Sequence, residues 1–236
     1  MSRETLTALA IVALVFGGGI AGYSLWTASE AREEEAAREA RREAREAEES
    51  EARAELREES AGVMPEMLEG VALGETVEEV RSARPRGAVA PSTSRSDPEL
   101  MLLEEHLPNG AEVMYGFNRG DGRLAQVQVL SLLPSVDAIV PHLAAMNERY
   151  GTPTGIWDCP MGDLPTRRFT WRRSHTALAD VMLIYGDRIS LTLYISTSDA
   201  MGVSIRRSHC TPTPRDQLDQ FPTASPERVQ RAAQEA

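Results

Sequence analysis

The stretch 167–196, RRFTWRRSHTALADVMLIYGDRISLTLYIS, carries the pattern that decides the fold. Ile189, Leu191, Leu193 and Ile195 alternate with Ser190, Thr192, Tyr194 and Ser196. That is the two-residue period of a strand with one apolar and one polar face. Strands are expected over 166–173, 177–185 and 188–196, with a Gly186-Asp187 turn between the last two. In the first of them Phe169 and Trp171 share one face, and Arg168, Thr170 and Arg172 the other.

Upstream the same grammar repeats. Strand-like runs cover 100–107, 111–118 and 123–131, split by Pro108-Asn109-Gly110 and Gly120-Asp121-Gly122, both hairpin signals. Each set of three runs follows a helical pattern. The first, GVALGETVEEVRSARP at 70–85, has Thr76 and Glu79 in capping-box spacing and Pro85 as its stop. The second begins near Ser135, has Ile139, Leu143, Met146 and Tyr150 as its apolar stripe, and ends at Gly151 and Pro153. Pro141 should kink this helix or delay its start. The expected fold class is therefore α+β: a domain over 66–212 built from two helix-plus-three-stranded antiparallel meander halves, 70–131 and 135–200. The segment 213–236 lacks a core pattern and is expected to be a loose tail with a short terminal helix.

Further upstream lies a run, LTALAIVALVFGGGIAGYSLW at 6–26, with no charged residue. At about 1.5 Å per residue it reaches about 31 Å, the thickness of a bilayer's hydrocarbon core. Ser29-Glu30-Ala31 is a poor cleavage site, so a retained transmembrane anchor over 1–28 is expected rather than a removed signal peptide. The short N-terminal flank suits a signal-anchor layout with the C-terminal body exported. Arg32, Arg38, Arg41 and Arg42 after the run argue the other way by the positive-inside count, but they are embedded in glutamates. Ala13, Gly17 and Ala21 recur every fourth residue, a spacing that lets two membrane helices approach, although small residues are common in such helices anyway.

Between anchor and domain, residues 29–61 hold 13 Glu and 7 Arg among alanines. These are strong helix formers, and Glu34–Arg38 has the favourable i,i+4 orientation. A solvated helical spacer over 29–62 is expected, with an alanine-faced coiled coil as the alternative. A formal net charge of −11 disfavours general nucleic-acid binding, and all 25 basic residues are Arg.

Cys159 and Cys210 are the two cysteines and bracket the second meander, where a disulfide would close a long loop if the domain is exported. A metal set of Cys159, His175, His209 and Cys210 has no recognised zinc spacing, and no phosphate loop or nucleophile elbow occurs. No cofactor or metal is expected. The candidate partner surface is the polar row Arg168, Thr170 and Arg172 with Thr192 and Tyr194 on a nearby strand, facing an acidic partner. The plainer reading is that these side chains are merely solvated.

GVALGETVEEVRSARP resembles the opening helix of the SmpA/OmlA family of small outer-membrane lipoproteins, and the doubled helix-plus-strands layout is similar to the β-lactamase-inhibitor-protein-like superfamily. The chain departs from that family in having no lipobox cysteine and in carrying Arg84-Pro85 at the turn. The resemblance implies an extracytoplasmic domain that binds proteins and has no catalytic site. The expectation is thus a single-pass, non-enzymatic protein of the bacterial inner membrane. It meets the bilayer through 6–26 and a protein partner through its domain, and anchor or spacer could pair two copies. Two alternatives stay open: a hydrolase-like enzyme with a site near His175 or His209, and a cytoplasm-facing coiled-coil scaffold.

Overall fold

The computed structural model describes residues 34–85, 90–91, 98–161, 164–186, 188–218 and 220–235. The expected anchor with its Ala13, Gly17 and Ala21 face lies outside the described residues. Among the described residues no helix is long and apolar enough to cross a membrane.

The chain is α+β, with one large sheet that is antiparallel except at one short edge pairing. Residues 34–63 form helix α1. Its exposed part carries the expected Arg38–Glu34 pair at 3.2 Å and an Arg42–Glu46 pair at 3.3 Å. Helix α2 (Val77–Ala83) starts at a complete capping box: the Thr76 side chain accepts from the Glu79 N–H, and the Glu79 carboxylate accepts from the Thr76 N–H. Strands β1 (Ala90–Pro91), β2 (Leu100–His106), β3 (Glu112–Asn118) and β4 (Leu124–Leu133) follow. Gly110 and Gly122 turn the two hairpins at φ of 83° and 68°, where a side chain would be strained. Helix α3 (Ile139–Tyr150) begins only after a 3-10 turn at Val136–Ala138, so Pro141 falls in its first turn, where no N–H is missed.

The second half has four strands, not three: β5 (Gly155–Met161), β6 (Leu164–Arg172), β7 (Thr176–Tyr185) and β8 (Arg188–Thr197). β5 escapes periodicity because Pro160 interrupts it, which an almost-edge strand tolerates. Helix α4 (Ser198–Arg207) comes next, started by Thr197, whose side chain accepts from the Ala200 N–H. The segment expected to be a loose tail is instead tied to the sheet. Just before it β9 (Thr211–Pro212) pairs with β5; within it β10 (Thr223–Ala224) pairs with β7, and α5 (Pro226–Glu235) ends it.

The strand order β1-β2-β3-β4-β8-β7-β6-β5-β9 places the last strand of each meander side by side, so the two halves share one sheet through β4 and β8. One face holds the main core, where Tyr115, Val127, Trp171, Leu178 and Ile195 pack with Val80 of α2 and Ile139, Met146 and Tyr150 of α3. Residues of α1 complete that core, with Leu56 half-buried and Val63 buried. α4 lies on the other face, setting Met201 and Ile205 against Ala177, Ala179 and Val181.

The compact unit accordingly spans Arg53–Ala236 rather than beginning at 66. The last turns of α1 are integral to it. The Ser60 hydroxyl accepts from the Leu73 N–H at 2.9 Å, and Arg57 pairs with Glu79 at 3.1 Å. At the C-terminal end of α1 the carbonyls of Val63 and Met64 accept from the Tyr150 hydroxyl and the Arg149 guanidinium, partners that an isolated helix end lacks.

Candidate functional site: a cationic cleft under α4

The polar row read from β6 and β8 does share one face. Cα registers align Arg168 with Val181 and Thr192, and Thr170 with Ala179 and Tyr194. It is not the open surface expected, because α4 and Trp157 lie over it. Thr170 is 2% exposed: its hydroxyl donates to the Gly155 carbonyl at 3.0 Å and accepts from the Trp157 indole at 3.2 Å. The indole folds back so tightly that a Cβ on Gly155 would sit 2.6 Å from its nitrogen. Arg172 is exposed and donates to the Ser198 carbonyl at the start of α4. Thr192 and Tyr194 are half-buried.

Arg168 is the residue that changes character. It is 8% exposed, its Nη1 donates to Ser204 Oγ of α4 at 3.2 Å, and its guanidinium carbon lies 6.0 Å from the Tyr194 ring centre. Its Nε is buried without a hydrogen-bond partner among the described residues. Burial lowers its pKa from the ordinary arginine value, partly opposed by Tyr194, but a guanidinium remains charged at physiological pH. The group lines a cleft of about 500 Å³ between the C-terminal half of α4 and β5–β8. The other polar walls are Thr166, Tyr194, Ser204, Arg207, Ser208 and His209, and no carboxylate lines it among the described residues.

One wall is held by the disulfide Cys159–Cys210, which links β5 to the chain just beyond α4. His209 stands in that link with a φ of 49°, in the left-handed region. The other histidine singled out from sequence, His175, is remote from it. It sits at the β6–β7 turn, whereas His209 flanks Thr166 at the opposite end of β6. The six residue steps from Thr166 to Arg172 alone span about 20 Å in a strand. The His175 ring meets Glu55 at 3.2 Å, and the His175 backbone N–H donates to Glu59.

Three buried charge clusters went unread in the sequence. Glu105 of β2, 2% exposed, accepts from Arg84 at 2.8 Å and from the Tyr115 hydroxyl at 2.6 Å. Asp180 of β7, 1% exposed, meets His142 Nε2 of α3 at 2.7 Å. Arg167 of β6, 2% exposed, donates to Asp158 and to the carbonyls of Gln217 and Leu218, tying the C-terminal segment down. Each pairs residues far apart in sequence, which periodicity does not report. Among the described residues no group of three or more His, Cys, Asp or Glu is placed to hold a metal ion.

No family model matches the chain, and no curated protein does. A solved structure, that of a DUF4309 family protein (YjgB) from Bacillus subtilis subsp. subtilis str. 168, is similar at 13% identity and a TM-score of 0.41, covering 63% of this chain and 97% of that one. A likeness of that size carries no functional argument, and it does not bear on the resemblance to SmpA/OmlA.

Proposed function

We propose that this chain is a single-pass, non-enzymatic protein of the bacterial inner membrane that presents an α+β binding domain outside the cytoplasm. The observation that carries the reading is the Cys159–Cys210 disulfide. Such a bond persists in an oxidising compartment and is rare in a reducing cytosol. It is joined to the uncharged run at 6–26, which is long enough to anchor the chain in the bilayer. The Glu- and Arg-rich segment acts as the spacer, and the partner is a protein that presents acidic groups to the arginines around α4. The hydrolase reading draws no support from the placement of His175 and His209 at opposite ends of β6.

The test is thiol labelling of the full chain in intact cells with a membrane-impermeant maleimide, before and after reduction. Labelling of Cys159 and Cys210 only after reduction is the expected result. Full labelling without reduction, and only after lysis, would overturn the reading in favour of the cytoplasm-facing scaffold.

A further inference from the structure

We infer that the cleft under α4 is a binding site for a single oxyanion, a carboxylate or phosphate group, with Arg168 as its charge partner. The inference rests on the reading of this domain as a binding module, but not on its compartment.

Three features of the geometry converge. Arg168 is more than nine-tenths buried and makes no ion pair among the described residues. Among the described residues its one hydrogen bond is to a neutral hydroxyl, that of Ser204, and its Nε has no partner. Other buried charges here are treated differently: Arg167 has Asp158 and Glu105 has Arg84. A buried charge without a counter-ion carries a desolvation cost that a matching ion at the site offsets.

The second feature is the lining. Arg207 adds donors and positive potential, His209 adds a ring nitrogen, Ser204, Ser208 and Tyr194 add hydroxyls, and no described carboxylate competes. Arg207 faces Glu99 at 3.8 Å with both side chains over 70% exposed, a contact too long and too wet to neutralise it. The third feature is size. About 500 Å³ admits a small ligand or the end of an acidic side chain, not a folded surface.

One effect opposes binding. The cleft lies at the C-terminal end of α4, where the helix dipole disfavours an anion. The last carbonyls there are already taken, since Ser204, Ile205 and Arg206 accept from Ser208, Cys210 and His209. The dipole term is therefore smaller than the desolvation cost at Arg168 that an anion relieves.

The test is calorimetric titration of the oxidised full chain, in a non-ionic detergent at low salt, with inorganic phosphate in one arm and a pentaglutamate peptide in the other. A parallel arginine Nε–H NMR spectrum follows the Arg168 resonance. Saturable binding that shifts this resonance is expected, weakened at least tenfold in Arg168→Met and a few-fold in Ser204→Ala. Binding in both arms marks a general oxyanion site, and binding in one arm alone assigns the source. No saturable binding in either arm overturns the proposal, as does binding that Arg168→Met leaves unchanged. If Arg168→Met fails to fold, the wild-type resonance decides: no shift at saturation sinks the site. None of these outcomes alters the thiol-labelling result, so failure of the site and failure of the export reading stay separate.

Discussion

The carboxylate of Glu59 on α1 accepts hydrogen bonds from the N–H groups of both His175 and Thr176, at 3.0 and 2.7 Å, more than a hundred residues further along the chain. The Thr176 hydroxyl donates to the same oxygen. One side chain thus satisfies two backbone donors at the β6–β7 turn and fixes α1 on the sheet. Burial pushes the Glu59 carboxyl up, but the hydrogen bonds from Thr176 and His175 outweigh it and hold it below the ordinary value of 4.5. A lowered value in the folded state means that the unfolded chain takes up the proton first. The stabilisation is complete above about pH 4.5 and is lost as pH falls through the folded-state value. Glu59→Gln should cost about 1–3 kcal/mol at pH 7, the scale of charged hydrogen bonds. That difference should shrink toward pH 3. Urea titrations of both proteins across this range check it, and a pH-independent difference would refute the clamp.

The same contacts move the domain boundary. A fragment beginning at Arg53 keeps Leu56, Arg57, Glu59 and Ser60, all of which touch the rest of the unit. A fragment beginning at residue 66 strips Val63 and Met64, 6% and 4% exposed, from the core. At roughly 1.5–3 kcal/mol per fully buried aliphatic side chain, removing Leu56, Val63 and Met64 takes away much of a domain's net stability. The fragment 53–236 should melt cooperatively, and 66–212 should melt far lower or not at all. Equal midpoints by circular dichroism would return the boundary to 66.

What the sequence made legible follows from what periodicity encodes. Strand-like runs between turn signals marked β2, β3, β4, β6, β7 and β8, and the Thr76–Glu79 spacing located α2, because these are local patterns. α1's docking was hidden because Leu56 is its single large apolar residue between 34 and 62, and the anchoring is done by Arg57, Glu59 and Ser60, which read as a solvated face. α4 was missed because Gly202 lowers its helical propensity. The signal for it lay in β7, where Ala177–Ile184 is buried throughout and apolar but for Asp180. A run of that kind marks a strand covered on both faces, so something had to lie over Ala177, Ala179 and Val181. The cleft beside Arg168 was half legible: the row of residues was readable, but the helix that buries it was not.

Glu105 should prove to be a costly single site. Its carboxylate takes two bonds from Arg84, the residue that ends α2, and one from Tyr115 in the core. Burial and then Glu105 raise the Tyr115 pKa, so its hydroxyl stays a donor over the whole accessible pH range. Glu105→Gln should destabilise by about 3–5 kcal/mol, because it leaves Arg84 without its charge partner. Tyr115→Phe should cost about 1–3 kcal/mol. Replacing both ions, Arg84→Met with Glu105→Leu, should recover part of the loss. A double-mutant cycle by chemical denaturation measures this, and strictly additive costs would show that the pair does not act as a unit.

The disulfide provides the last prediction. Cys159 and Cys210 are 51 residues apart, and the segment between them contains β6, β7, β8 and α4. By the chain-entropy relation a loop of that size contributes about 4 kcal/mol through the unfolded state. The bridge also fixes the link at His209 against β5, where Thr211–Pro212 adds only two residues of pairing. Cys159→Ala with Cys210→Ala should therefore lower stability by about 2–5 kcal/mol while leaving far-ultraviolet circular dichroism unchanged. Hydrogen exchange should show where the loosening falls. The Thr213 amide, which donates to the Ile156 carbonyl beside β9, and those at the end of α4 should lose protection first, and those of β3, β4 and β8 should keep theirs. Protection lost evenly across the sheet would mean that the bridge supports the whole domain, and loss confined to β9 with no change in global stability would contradict the entropic account.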